Sequence, residues 1–94
     1  MMLEVAVRVI VEGQVQGVGF RAWTVREARR HGLRGWVRNR RDGSVEAMLI
    51  GASESVTKVI EACGRGPRLA QVTRVTCEDA SDDGADHFHE RPSD

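Results

Sequence analysis

The amino-acid sequence predicts an α+β sandwich, a small antiparallel sheet with two helices on one face. Two observations carry that class. Apolar residues alternate at every second position in some stretches and recur at helical spacing in others. In chain order the stretches read strand, helix, strand, strand, helix, strand, which is the ferredoxin-like βαββαβ pattern. The expected strand order is 4-1-3-2.

Each element has its own warrant. Val5, Val7, Val9 and Val11 alternate with Ala6, Arg8 and Ile10, giving a first strand with one buried face. The first helix runs from Phe20 to His31, with Phe20, Thr24 and Ala28 as a narrow inward stripe and Trp23 beside it. His31 sits where a cation suits the helix dipole. Gly32 is the stop, and Leu33 is placed to pack back on the last turn. Trp36 to Asn39 is a short strand. Asp42-Gly43 signals a hairpin, beyond which Val45, Ala47 and Leu49 alternate until Gly51. Ser53 is placed to cap a second helix carrying Val56, Val59, Ile60 and Cys63 at i, i+3, i+4 and i+7. Gly64 closes that helix and Gly66-Pro67 forbids its continuation. Ala70 and Val72, then Val75 and Cys77, lie on opposite phases, so a bulge is expected near Thr73-Arg74.

Between the first strand and the first helix stands Glu12-Gly13-Gln14-Val15-Gln16-Gly17-Val18-Gly19-Phe20-Arg21. Glycines permit left-handed backbone angles, and such a loop can turn its N–H groups onto an anion. The following helix adds its free N–H groups and positive dipole end. Arg21 adds a planar fork suited to two phosphate oxygens. The spacing matches neither the P-loop nor the dinucleotide fingerprint. A turn that needs glycines only for its geometry is the plain alternative.

Gly13 to Arg21 resembles the signature loop of the acylphosphatase family, and Gly35-Trp36-Val37-Arg38-Asn39-Arg40-Arg41-Asp42-Gly43-Ser44-Val45-Glu46 resembles its second signature. A weaker echo, Gly66-Pro67, Ala70 and Val72, follows, and the likeness spans about Val5 to Cys77. The resemblance implies the same 4-1-3-2 sheet. It implies that the amides of Gln14, Val15, Gln16, Gly17, Val18, Gly19 and Phe20 hold a phosphate together with Arg21. Asn39 then orients the attacking water through its amide oxygen, so Arg21 and Asn39 are the catalytic candidates.

The topology makes this pair possible. Strands 1 and 2 run parallel with strand 3 between them, so their C-terminal ends share one edge, about 10 Å apart. Neither Arg21 nor Asn39 is a nucleophile or a general base at neutral pH. Binding, charge stabilisation and water placement can suffice for an acyl phosphate, whose carboxylate leaves readily. The expected activity is hydrolysis of acyl phosphates to a carboxylate and inorganic phosphate, with no metal and no cofactor. Asn39 capping a strand end and Arg21 pairing with an acid stay open as structural readings.

Two rivals come from other classes. One is a non-catalytic anion-binding regulatory module on the same fold. The other is an RNA-binding domain of this topology, which stacks bases on aromatics of its central strands. Val5–Val11 and Ser44–Ile50 carry none. A related domain also opens larger hydrogenase-maturation carbamoyltransferases, but a free-standing enzyme is expected here.

Composition frames these expectations. Ninety-four residues, 40% of them hydrophobic, make one domain with a modest core. No apolar run approaches a membrane span and no signal peptide is visible, so a cytoplasmic location with no membrane partner is expected. A monomer is the separate expectation for its assembly. A formal net charge of zero argues against a nucleic-acid partner. The zero hides an asymmetry. Arg21, Arg26, Arg29, Arg30, Arg34, Arg38, Arg40 and Arg41 crowd one stretch, and Glu78, Asp79, Asp82, Asp83 and Asp86 another. Most of these arginines read as a solvated face, though together they can draw anions in. Cys63 and Cys77 read as small buried hydrophobes. Asp86, His87 and His89 are too few for a metal site. Residues 78–94 match the family weakly. There Phe88 is expected to anchor a weak edge strand around His87–Glu90, with Asp82–Asp86 mobile and Pro92–Asp94 frayed.

Overall fold

The computed structural model describes residues 3–94. Seven elements follow in chain order: β1 (Glu4–Gln14), α1 (Phe20–Arg30), β2 (Arg34–Asn39), β3 (Val45–Ala52), α2 (Ser53–Cys63), β4 (Gln71–Asp79) and β5 (Phe88–Glu90). They form one sheet of order β4-β1-β3-β2-β5. The expected 4-1-3-2 order holds for the first four strands, all paired antiparallel. β5 extends it, lying parallel to β2 with Phe88 opposite Gly35. The sheet is therefore mixed at that edge and not wholly antiparallel.

The core lies between the sheet and the two helices. Val9 and Val11 from β1, Val37 from β2 and Leu49 from β3 meet Phe20 and Ala28 of α1 and Val56 and Val59 of α2. The inward stripe of α1 is the expected Phe20, Thr24 and Ala28. Thr24 is fully buried because its hydroxyl donates to the Phe20 carbonyl at 2.8 Å. α1 ends as the sequence indicates, one residue earlier: Leu33 N–H donates to Ala28 O at 2.9 Å and Gly32 N–H to Arg29 O at 3.1 Å. That is the Schellman pattern, and it turns Leu33 into the core. The expected bulge is present on β4. Glu12 faces Arg74 and Gly13 faces Val72, so Thr73 has no partner, and Val72 and Val75 both reach the core.

Other expectations fail for local reasons. β3 runs through Gly51 to Ala52. Ser53 does not cap α2: Ala52 is the N-cap, without a side-chain cap, and Ser53 N–H donates to Leu3 O at 2.9 Å. Cys63 is buried, and that burial pushes its thiol up to about 12. Cys77 is exposed, not buried. It stands opposite Val9, on the helix side of the sheet, but β4 is an edge strand and leaves it uncovered.

The largest departure is the tail. The loop expected to be mobile at Asp82–Asp86 is docked on the face of the sheet away from the helices. Arg34 donates to Asp82 Oδ2 at 2.8 Å and to Ala85 O at 2.8 Å. The Trp36 indole N–H donates to Asp83 Oδ2 at 3.0 Å. Ala80 and Ala85 pack against Trp36, Met48 and Ile50. Phe88 is buried as expected, and Arg29 holds its carbonyl from α1 at 2.9 Å. The end of the tail, expected to fray, lies along β2, with Asp94 N–H donating to Asn39 O at 2.9 Å.

Candidate active site

β1 and β2 are parallel, with β3 between them, so both end at one edge of the sheet. The β1–α1 loop leaves the end of β1, and Asn39 is the last residue of β2. The α2–β4 loop and the β2–β3 turn reach the same edge.

The loop is built from β1 outward. Gln14 is still in the strand, opposite Gln71, and the Val15 side chain is buried in the core. Gly13 lies flat against β4: a Cβ there would stand 2.1 Å from Gln71 O. Gln16 to Gly19 form the open turn, with the Val18 side chain resting on the core. Gly19 is the N-cap of α1 in the left-handed region, φ 80° and ψ 18°. A glycine there offers no side-chain acceptor to the first amides of the helix, and no acidic residue stands in the first turn. Among the described residues, the amides of Gly17 to Ala22 donate to no backbone carbonyl. The positive end of α1 is thus left open to an external anion.

Side chains fix this turn from both sides. Phe20 is buried and packs edge-on to Trp23, with ring centroids 5.3 Å apart. Arg21, next to it, is half-buried and enters no ion pair among the described residues. The Gln16 side-chain amide donates to Arg40 O and to Ser44 O, both at 2.8 Å. These two bonds tie the glycine loop to the turn that follows Asn39. That turn is framed in its own right. Arg40 N–H donates to Ser44 O at 2.9 Å, and Asp42 Oδ1 accepts the Ser44 hydroxyl at 2.6 Å and the Ser44 N–H at 2.9 Å. The Ser44 hydrogen bonds hold the Asp42 carboxyl below its ordinary range.

Asn39 ends β2 opposite Val45. Its side-chain oxygen Oδ1 is buried and has no hydrogen-bond partner among the described residues. Beneath it, Arg38 donates to Glu46 Oε1 at 2.7 Å, and Arg8 reaches the same carboxylate from β1. Burial pushes the Glu46 carboxyl up, but the hydrogen bonds from Arg38 and Arg8 outweigh it and hold it below its usual value. This cross-strand clamp ties the middle of β1 to the end of β2 across β3.

Of the expected site residues, Gln16 to Arg21 and Asn39 come together at one edge, while Gln14 and Val15 belong to the frame beside them. Sequence reasoning missed two supports. The Gln16 side chain is a clamp, although glutamine in a glycine-rich run reads only as loop. Glu46 is a buried anchor, and its signal was a lone acid inside an apolar strand. Asp86 and His87 are paired at 2.5 Å, and no group of metal-binding side chains forms among the described residues. Chemically, the edge offers a charged fork, a row of free amides and one unpaired acceptor. It suits an anion with a neutral donor molecule beside it.

Known proteins share this fold. The profile of the family described as Acylphosphatase matches residues 7–90. An acylphosphatase of Nitrobacter winogradskyi is 58% identical over 71 residues, 76% of this chain and 72% of that protein. The structure of an acylphosphatase from Coxiella burnetii superposes with a TM-score of 0.90 at 34% identity, covering 94% of this chain and 93% of that one. That of an acylphosphatase from Bacillus subtilis gives 0.89 at 36% identity, over 95% and 99% of the two chains. Given the family match across most of its length, this chain belongs to the acylphosphatase family.

Proposed function

We propose that this protein is an enzyme that hydrolyses the carboxyl–phosphate bond of acyl phosphates, with the Gln14–Arg21 segment as phosphate cradle and Asn39 as the residue that places water. The loop amides and Arg21 meet the phosphoryl oxygens and the charge that spreads over them in the transition state. The water oxygen attacks phosphorus. The bond from phosphorus to the bridging oxygen breaks, its electron pair leaves on the carboxylate, and a water proton ends on the released phosphate. No protein group has to take a proton, which agrees with a site lacking a base.

The observation that carries this reading is the buried, unpartnered Asn39 Oδ1 at the edge where the α1 amides are free. A buried acceptor without a partner is costly, and a water donating to it removes that cost. Finer expectations go with the reading: one domain over residues 1–94, a monomer, in the cytoplasm, with no nucleic-acid or membrane partner. No described helix is long and apolar enough to cross a membrane. The deciding experiment is phosphate release from acetyl phosphate or benzoyl phosphate, with p-nitrophenyl phosphate as control. Rapid release from the first two alone, competed by inorganic phosphate, is the expected result. EDTA leaves the rate unchanged, because guanidinium and amide donors bind anions and not metals. A rate that falls on chelation and returns with a divalent ion overturns the mechanism.

A further inference from the structure

Two groups of arginines stand apart. On the face away from the helices, Arg8, Arg34 and Arg38 pair with Glu46, Glu78, Glu4 and Asp82. At the cradle edge, Arg21, Arg40, Arg41, Arg65 and Arg68 enter no ion pair among the described residues. They come from the start of α1, the β2–β3 turn and the α2–β4 loop. The three loops hold one carboxylate, Asp42, and Ser44 engages it inside its own turn. Five unpaired cations exceed what one phosphoryl group needs, and together they favour a substrate with more negative charge.

In-line displacement says where that charge sits. Water by Asn39 attacks from the β2 side, so the leaving oxygen lies on the opposite side of phosphorus. With strand order β4-β1-β3-β2, that side is β4 and the loop before it. The α2–β4 loop is packed close to the cradle: a Cβ on Gly66 would stand 2.7 Å from the Phe20 ring, and Gln71 faces Gln14. On this loop Arg65 and Arg68 are exposed, and Leu69 is 70% exposed, an apolar surface for a short carbon chain.

Resting on the hydrolase reading above, we propose that the α2–β4 loop is an acyl-group subsite. Its preferred substrates are acyl phosphates whose acyl chain carries a second anionic group, a carboxylate in the simplest case, met by Arg65 and Arg68. The guanidinium fork matches a carboxylate in two-point contact, and the contact weakens with salt.

The test compares kcat/KM for succinyl phosphate and butyryl phosphate, which share a four-carbon chain and differ in the terminal carboxylate. Wild type at low ionic strength is expected to favour succinyl phosphate by about tenfold. The ratio is expected to fall toward one in the Arg65→Gln/Arg68→Gln double variant and in wild type at high salt, with circular dichroism confirming the fold. Arg40→Gln/Arg41→Gln, on the water side, is expected to keep the preference. A wild-type ratio near one overturns the proposal. So does a preference that survives Arg65→Gln/Arg68→Gln, or one lost only in Arg40→Gln/Arg41→Gln. Hydrolysis of neither substrate instead removes the underlying hydrolase reading, and the subsite with it.

Discussion

The roles proposed for Arg21 and Asn39 in one step differ, and kinetics can separate them. In the proposed mechanism Arg21 carries a charge that meets the phosphoryl group in ground state and transition state alike. Arg21→Ala should therefore weaken phosphate inhibition and cut turnover, by about a hundredfold or more for the loss of one such donor. Asn39 Oδ1 is buried and unpartnered, and in the proposed mechanism it holds the water and not the anion. Asn39→Ala should depress kcat while the inhibition constant for inorganic phosphate stays nearly unchanged. Turnover kept with phosphate binding lost would reverse the two roles. That both stand at one sheet edge was legible in the sequence, because each belongs to a long motif at the end of a strand. Gln16 was legible only as part of the loop, since its partners, the carbonyls of Arg40 and Ser44, lie more than twenty residues away. Cys77 shows a different limit. Alternation gives the face of a side chain correctly, opposite Val9, but not whether a helix extends far enough to cover it.

At the scale of elements, turn chemistry carried most of the information. Gly32 with Leu33, Asp42-Gly43 and the phase change across Thr73-Arg74 each specify a backbone geometry locally, and each is found. The Ser53 cap failed because β3 runs on to Ala52, which takes the N-cap place, and Ser53 N–H is held by Leu3 O, a long-range contact that no local pattern encodes. The loop itself yields two predictions. In Gly13→Ala the new Cβ meets backbone at 2.1 Å with φ at 125°, and neither β1 nor β4 can yield without losing register. A loss of about 3 kcal/mol is expected, read by denaturant unfolding. Gln16→Ala removes two hydrogen bonds that join the loop to the Asn39 turn. About 1–2 kcal/mol of stability should go. Turnover should fall as well, because the cradle and the water site then drift independently. A variant that loses stability but turns over at the wild-type rate would show that the clamp does not position the site.

For the whole molecule, the tail and the charges decide stability together, and magnitudes separate their shares. The acidic tail was expected to stay loose because exposed ion pairs are worth about 0–1 kcal/mol each and do not offset loop entropy. It is docked because the ion pairs do not act alone: Ala80 and Ala85 cover Trp36, and Phe88 enters the core. Burying Phe88 outweighs any single pair, so Phe88→Ala should cost about 3–5 kcal/mol. Added salt, which screens Arg34–Asp82, should shift the melting temperature far less. Glu46 is the charge that matters most, being only 2% exposed and held by two arginines. Its carboxyl titrates lower in the folded protein than in the unfolded chain. Its contribution is therefore complete above the unfolded value of about 4.3 and is lost as pH falls through the folded one. Melting curves from pH 7 downward should accordingly stay level until the ordinary carboxylate range and then decline. In Glu46→Gln the plateau should be lower by about 2 kcal/mol, since Arg8 and Arg38 lose their shared counter-charge. The acid decline should also be shallower, leaving the exposed Asp82 and other surface acids as its remaining source. An equal acid slope in wild type and Glu46→Gln would place the pH sensitivity in the surface acids, Asp42 and Asp82 among them, and would show that the Arg8–Glu46–Arg38 clamp adds little to the frame beneath Asn39.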